Sequence, residues 1–121
     1  MSKQIGTALC IGRGPIELNL RCALLRENGW NVVSSGSGHE GVLTFAREKF
    51  DIVIVDLNED GSEAALITGE LKRQQPRIPV VLIVSGKPLV EGATAQASAV
   101  VLKAEESRTL PPIVRGLVRP S

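Results

Sequence analysis

The chain has few of the residues on which several common kinds of site depend. Of its 121 residues two are cysteine, one is histidine, one is tryptophan, two are phenylalanine and none is tyrosine. One histidine is too few for a cluster of histidine and cysteine metal ligands, and so few aromatic rings are too few for a base-stacking platform. Cys10 and Cys22 do not imply a disulfide framework, and we predict two buried thiols in a reducing cytoplasm.

The chain also lacks an excess of one charge and any long apolar run. Lysine and arginine number 14 and aspartate and glutamate 13, so there is neither a basic field for nucleic acid nor an acidic tail. No apolar run approaches the roughly 20 residues of a membrane span, and the first residues do not read as a signal peptide. We therefore expect one cytoplasmic domain over residues 1–121, with neither nucleic acid nor a membrane as partner.

What the chain does have is a set of short apolar runs that each end at a polar residue. The most pronounced is Ile52–Val55, four β-branched residues between two aspartates. A run this short and apolar is typical of a strand buried on both faces of a parallel sheet. Three short apolar runs end directly before a polar residue with a reactive or hydrogen-bonding side chain. The runs are 52–55, 80–84 and 99–102, and the residues that follow them are Asp56, Ser85 and Lys103, respectively.

Helical patterns alternate with the predicted strands. Further strands are predicted over 5–11 and 31–34. Helices are predicted over 15–29, from a capping box at Ser37–Glu40 to about 49, over 63–75 and over 109–118, and a short helix is predicted within 87–97. Such alternation predicts a doubly wound, five-stranded parallel sheet with helices on both faces, a (βα)5 three-layer sandwich.

The first predicted helix carries two apolar stripes. One consists of Ile16, Leu20, Ala23 and Leu24, and the other, on nearly the opposite face, of Leu18, Cys22 and Leu25. Two interpretations of the second stripe stay open. Neighbouring elements half cover it, or it is a contact surface for a partner protein or for a second copy of the chain.

Asp56, Ser85 and Lys103 form the candidate site. The carboxyl ends of parallel strands share one edge of the sheet, and ligands of such folds bind at that edge. A carboxylate, a hydroxyl and an ammonium that meet there suit phosphoryl transfer to the carboxylate, with Asp56 as nucleophile. Ser85 and Lys103 would then bind the phosphoryl oxygens.

In order and spacing, these motifs resemble the receiver domain of two-component response regulators. The segment 51–57 is similar to the phosphoacceptor strand, with Asp56 as the acceptor. Val84-Ser85-Gly86 and the segment 100–103 are similar to the strands that end in the phosphoryl-binding hydroxyl and lysine. The resemblance implies a flavodoxin-like fold, a role in a phosphorelay without enzymatic activity of its own, and a histidine kinase, phosphotransfer protein or other signalling protein as partner.

The chain departs from the receiver pattern at the metal site. Receivers usually have two adjacent acids after the first strand that hold Mg²⁺, and here those positions are Gly12 and Arg13. Asp56 and the backbone carbonyl of Asn58 are the ligands that remain, which is a poor octahedral cage. We therefore expect a doubtful Mg²⁺ site, weak or absent phosphorylation, and action mainly through protein contacts.

Arg13 offers a substitute for the metal. Its guanidinium could pair with Asp56 and place a fixed positive charge beside the carboxylate; the alternative is that Arg13 points into solvent. Two other functions stay open. One is a small nucleotide- or flavin-binding domain, suggested by Gly12-Arg13-Gly14, although Glu17 replaces the third glycine of that fingerprint. The other is an interaction scaffold that does not depend on phosphorylation.

Overall fold

The computed structural model describes residues 4–57 and 59–118. The strands are β1 (Gly6–Gly12), β2 (Trp30–Ser35), β3 (Ile52–Asp56), β4 (Val80–Val84) and β5 (Ala99–Leu102). The helices are α1 (Pro15–Glu27), α2 (Gly38–Arg47), α3 (Ser62–Gln74) and α4 (Glu106–Val118), and a 3₁₀ turn over Lys103–Glu105 leads into α4. All strand pairs are parallel and the order is β2-β1-β3-β4-β5, which confirms the predicted doubly wound sheet.

The sheet separates two apolar layers, because alternate residues of each central strand point to opposite faces. On one face Cys10, Ile52 and Ile54 pack with residues of α1 and α4, and on the other Leu9 and Val53 pack with residues of α2 and α3. The strand β3 is fully buried from Ile52 to Val55. Cys10 and Cys22 are free and buried, as predicted. In the part of the chain that the structure describes, no helix combines the length and the apolar character that crossing a membrane requires.

The start of α2 follows the predicted capping box. The hydroxyl of Ser37 accepts a hydrogen bond from the backbone N–H of Glu40 at 3.1 Å. The Glu40 carboxylate in turn accepts from the backbone N–H of Gly36 at 3.1 Å. Two backbone donors at the helix start are thereby satisfied, which fixes where α2 begins.

Gly41 brings α2 close to β1, and we expect Gly41→Ala to destabilise the protein. An added Cβ would lie 2.4 Å from Cδ1 and 2.7 Å from Cγ1 of the buried Ile11, so the cost of overpacking should be about 1–3 kcal/mol. Gly116→Ala in α4 is the matched control. A Cβ there meets nothing within 4 Å, and the higher helix propensity of alanine should stabilise by up to about 1 kcal/mol. Urea unfolding of both variants measures the difference, and equal effects would contradict this packing.

The short helix predicted within 87–97 is wrong. Residues 85–98 of the structure contain turns and no helix, with successive i to i+3 hydrogen bonds such as that from Ala93 N to Val90 O at 3.1 Å. Pro88 lacks a backbone donor, and Gly92 has a φ of +79°, outside the right-handed helical region. The bond from Val90 N to Asp60 O, at 2.8 Å, ties this segment to the loop after β3.

The last helix begins earlier than predicted, at Glu106 instead of Thr109. Pro111 and Pro112 therefore lie inside α4 and not in its first turn. The 3₁₀ turn that follows β5 continues directly into the helix. In addition, the side chain of Glu106 is held by Arg21 of α1, a tertiary contact that the local sequence does not predict.

Of the two apolar stripes on α1, the one formed by Leu18, Cys22 and Leu25 faces the core. These residues are 7%, 3% and 0% exposed, so of the two open interpretations coverage by neighbouring elements holds, and the contact surface on these residues is wrong. Ile16 and Leu20 are instead 76% and 67% exposed. Both stripes have helical spacing and similar apolarity. The buried stripe flanks Arg21, and with this face of α1 on the sheet Arg21 forms its ion pairs with Asp56 and Glu106.

Candidate functional site

Asp56, Ser85 and Lys103 lie at the same edge of the sheet, as predicted. Asp56 is the last residue of β3, and Ser85 and Lys103 directly follow β4 and β5. The register places Val84 beside Leu102, so Ser85 and Lys103 leave adjacent strands at the same level. Asp56 pairs in register with Gly12, the last residue of β1.

The Asp56 carboxylate is held by two cations. Its Oδ2 lies 3.0 Å from Nη2 of Arg21 and 3.3 Å from Nζ of Lys103. The side chain of Asp56 is 11% exposed, so both contacts form in a site that is largely shielded from water. The predicted meeting of acid and amine is present, and Arg21 is a member of the site that the sequence did not reveal.

Ser85 lies outside this bonded cluster. Its side chain is exposed, and its hydroxyl accepts a hydrogen bond from the backbone N–H of Lys87 at 3.3 Å. Within residues 4–57 and 59–118, no hydrogen bond links Ser85 to Asp56 or to Lys103. The structure therefore brings two of the three predicted residues into contact and places the third at the same edge without contact.

Arg21 is the most buried charge of the site. Its side chain is 2% exposed, and it binds the Glu106 carboxylate with both Nε and Nη2, the latter at 2.9 Å. Burial lowers the pKa of Arg21, but the hydrogen bond and charge of Glu106, together with the charge of Asp56, more than compensate and raise that pKa above its ordinary value. Arg21 is thus a permanent cation shared by β3 and α4.

Lys103 is the outer cation. Besides Asp56 it contacts the carboxylate of Glu17, at 3.0 Å. Burial lowers the pKa of Lys103, but the hydrogen bond to Glu17 and the charge of Asp56 outweigh it and raise that pKa. Its side chain is 38% exposed, so solvent screens these ion pairs more than those of Arg21.

Arg13 does not pair with Asp56 in the structure, which corrects the predicted partnership. Its Nη2 lies 2.6 Å from Oε2 of Glu63, in the first turn of α3, and its side chain is 57% exposed. The loop after β1 directs Arg13 toward α3, while Arg21 approaches Asp56 from α1. The one available sequence signal for Arg21 was a charged residue set among the apolar residues Leu18, Cys22 and Leu25.

The residues present do not fit a magnesium ion. Gly12 and Arg13, in place of the usual two acids, supply no carboxylate, and Asn58 lies outside the described residues. No group of three or more histidine, cysteine, aspartate or glutamate side chains that could hold a metal occurs among the described residues. The carboxylate that remains, Asp56, already faces two cations, and Mg²⁺ needs several oxygen ligands in octahedral geometry.

Comparison with known proteins identifies the class. The transcriptional regulatory protein GlrR of Escherichia coli is 30% identical over 100 residues, which are 83% of this chain and 22% of GlrR. The response regulator TrrA of Thermotoga maritima, solved in complex with Mg²⁺-BeF, superposes with a TM-score of 0.83 at 20% identity, covering 92% of this chain and 97% of TrrA. TrrA in its complex with the histidine kinase ThkA gives a TM-score of 0.82 at 20% identity, with 93% and 97% covered. No protein-family model matches the chain.

The chain thus has the fold of response regulator receiver domains, and 83% of it is similar in sequence to a segment of GlrR. It spans about a fifth of the length of GlrR. The site described above departs from the metal-binding pattern of that class at Gly12 and Arg13, and it contains a buried arginine in contact with Asp56.

Proposed function

We propose that the chain is a receiver module that signals mainly through protein contacts, with phosphorylation of Asp56 weak or absent. The observation that carries this proposal is the contact of Oδ2 of Asp56 with the buried guanidinium of Arg21 at 3.0 Å. A carboxylate engaged by a fixed cation is a poorer nucleophile, because its charge is already stabilised before any phosphoryl group arrives. The missing acids at Gly12 and Arg13 remove the metal that would neutralise the transferring group.

Three residues have roles in the weak phosphorylation that this proposal allows. Asp56 is the phosphoacceptor, and its Oδ1 receives no hydrogen bond or ion pair from the rest of the described chain. Lys103, already within 3.3 Å of Oδ2, would bind a phosphoryl oxygen. Ser85 would do so only after its exposed hydroxyl turns toward the acceptor from its bond with Lys87.

Intact-mass measurement after incubation with acetyl phosphate tests the proposal. We expect little phosphoadduct, an amount that does not change when Mg²⁺ is added, and loss of any adduct in Asp56→Asn. Asp51→Asn is the matched control, since Asp51 lies before the opposite end of β3 and accepts from the backbone N–H of Thr7 at 2.8 Å. Rapid, Mg²⁺-dependent and stoichiometric labelling of Asp56 would contradict the proposal.

The exposed apolar face of α1 is the proposed contact surface. Ile16 and Leu20 are 76% and 67% exposed. Next to them a groove of about 470 Å³ runs between α1 and the start of α4, lined in part by Leu20, Leu24 and Ser107. Exposed leucine and isoleucine side chains on a helix suit the apolar face of a partner helix. TrrA, of the same fold, was solved in complex with a histidine kinase, and we propose a histidine kinase or phosphotransfer protein as the partner here.

Leu20→Glu should weaken that interaction without unfolding the protein. A charge in the middle of the apolar face should lower affinity at least about tenfold, whereas Leu66→Glu on α3, where the leucine is 76% exposed, should not. Binding to purified dimerisation domains of histidine kinases from the same genome, measured by calorimetry, supplies the readout. If Leu66→Glu weakens binding as much as Leu20→Glu, the partner contacts a different face.

Sedimentation equilibrium of the same variants addresses the homodimer. A second copy of the chain would use the same face, so self-association that Leu20→Glu abolishes would assign the surface to dimerisation instead of to a kinase. A chain that stays monomeric at all concentrations leaves the α1 face available to a different protein.

A further inference from the structure

Most of the negative charge at the acceptor end of the sheet is compensated within the chain. Three carboxylates, those of Glu17, Asp56 and Glu106, face two cations, Arg21 and Lys103. Asp56 is the carboxylate that contacts both cations. We infer that Arg21 is an internal cation that takes the place of the divalent metal in this site, so that the chain itself neutralises Asp56 and the site does not bind Mg²⁺. The inference rests on the proposed function only in taking Asp56 as the acceptor carboxylate.

The position of the guanidinium supports this substitution. A metal in the acceptor site must contact an oxygen of Asp56, and Nη2 of Arg21 already lies 3.0 Å from Oδ2 of that carboxylate. The side chain is 2% exposed, so the charge acts in a shielded environment where it is worth more than at the surface. A further positive ion at either oxygen of this carboxylate would meet the repulsion of both Arg21 and Lys103.

Gly12 lies beside both Arg21 and the end of β3. A Cβ at position 12 would lie 3.7 Å from Nη1 of Arg21 and 3.3 Å from the backbone oxygen of Asp56. A side chain at position 12 would therefore begin in van der Waals contact with the guanidinium of Arg21.

Glu106 holds Arg21 in place. The bidentate arrangement, in which Nε and Nη2 of Arg21 bind the two oxygens of Glu106, fixes the plane of the guanidinium. Because Glu106 is the first residue of α4, the ion pairs join α1, β3 and α4 at one point. A cation anchored in this way does not leave on arrival of a metal, as a solvent-exposed lysine would.

A comparison of two variants tests the inference by metal binding. Both carry Gly12→Asp and Arg13→Asp, which restore the acids, and one of them also carries Arg21→Leu. Amide chemical shifts followed during a Mg²⁺ titration should show affinity at least about tenfold weaker in the variant that keeps Arg21. Equal affinities would overturn the inference, and so would saturable shifts around Asp56 in the unmodified chain. The titration uses no phosphodonor, so its result is independent of whether Asp56 is phosphorylated.

A second measurement covers the case in which the Arg21→Leu variant does not fold. In the unmodified chain the side-chain protons of Arg21 should give resolved NMR signals, because ion pairs with Glu106 and Asp56 restrict the guanidinium. Asp56→Asn should shift those signals, while the matched Asp51→Asn should leave them in place. Signals that Asp56→Asn does not move would show that Arg21 does not compensate the acceptor charge.

Discussion

Arg21→Leu should lower the free energy of unfolding by about 3 kcal/mol, the largest effect we expect from a single substitution of a charged residue in this chain. Removal of the guanidinium leaves Asp56 and Glu106, with side chains 11% and 13% exposed, as shielded carboxylates without their principal partner. The free energy lost by leaving a charge unpaired away from water is larger than the free energy gained from the apolar surface that leucine buries. Urea unfolding followed by circular dichroism gives the value directly.

Arg13→Leu is the matched control for that substitution. Arg13 also forms an ion pair, with Glu63 at 2.6 Å, but its side chain is 57% exposed, and exposed pairs contribute about 0–1 kcal/mol. We therefore expect almost no change in the free energy of unfolding. If the two arginine variants are equally stable, the burial and the bidentate pairing of Arg21 do not have the energetic role described above.

Leu25→Ala should destabilise the protein by about 2–5 kcal/mol, the range for truncation of a fully buried leucine. Leu25 is 0% exposed and belongs to the core on the α1 and α4 face of the sheet. The truncation removes apolar contacts and leaves a cavity that the rigid strands beneath cannot fill. Leu20→Ala, on the same helix at 67% exposure, should change the free energy of unfolding by less than about 0.5 kcal/mol.

The contrast between Leu25 and Leu20 also decides which stripe of α1 faces the core. A chain in which Leu20→Ala is the costly substitution and Leu25→Ala the mild one would have α1 rotated by about half a turn relative to the structure. The contact surface would then be Leu18, Cys22 and Leu25, which is one of the two interpretations that the sequence left open.

The sheet could be predicted from the sequence because its signals are strong and local. The uninterrupted β-branched run of β3, the similar run of β4 and the capping box at Ser37 each specify an element through the residues of that element alone. The alternation of strands and helices then restricts the topology, since parallel strands need right-handed crossovers. The edge at which Asp56 and Lys103 meet follows from the topology without any knowledge of side-chain contacts.

The bonded network at that edge could not be predicted, because it depends on contacts between residues far apart in sequence. Arg21 and Glu106 are 85 residues apart, and the direction of Arg21 depends on which face of α1 packs on the sheet. Both faces of α1 are apolar, so periodicity did not distinguish them. The earlier start of α4 has a similar origin, since the pairing of Glu106 with Arg21 is a tertiary contact.

A double-mutant cycle of Arg21→Leu and Asp56→Asn tests most directly whether Arg21 neutralises the charge of Asp56. The free energies of unfolding of the unmodified chain, the two single variants and the double variant give the coupling between the two side chains. The ion pair at 3.0 Å predicts a coupling of at least about 1.5 kcal/mol, as found for close charge pairs shielded from water. Effects that add to within about 0.5 kcal/mol would show that the two groups do not interact and would contradict the account.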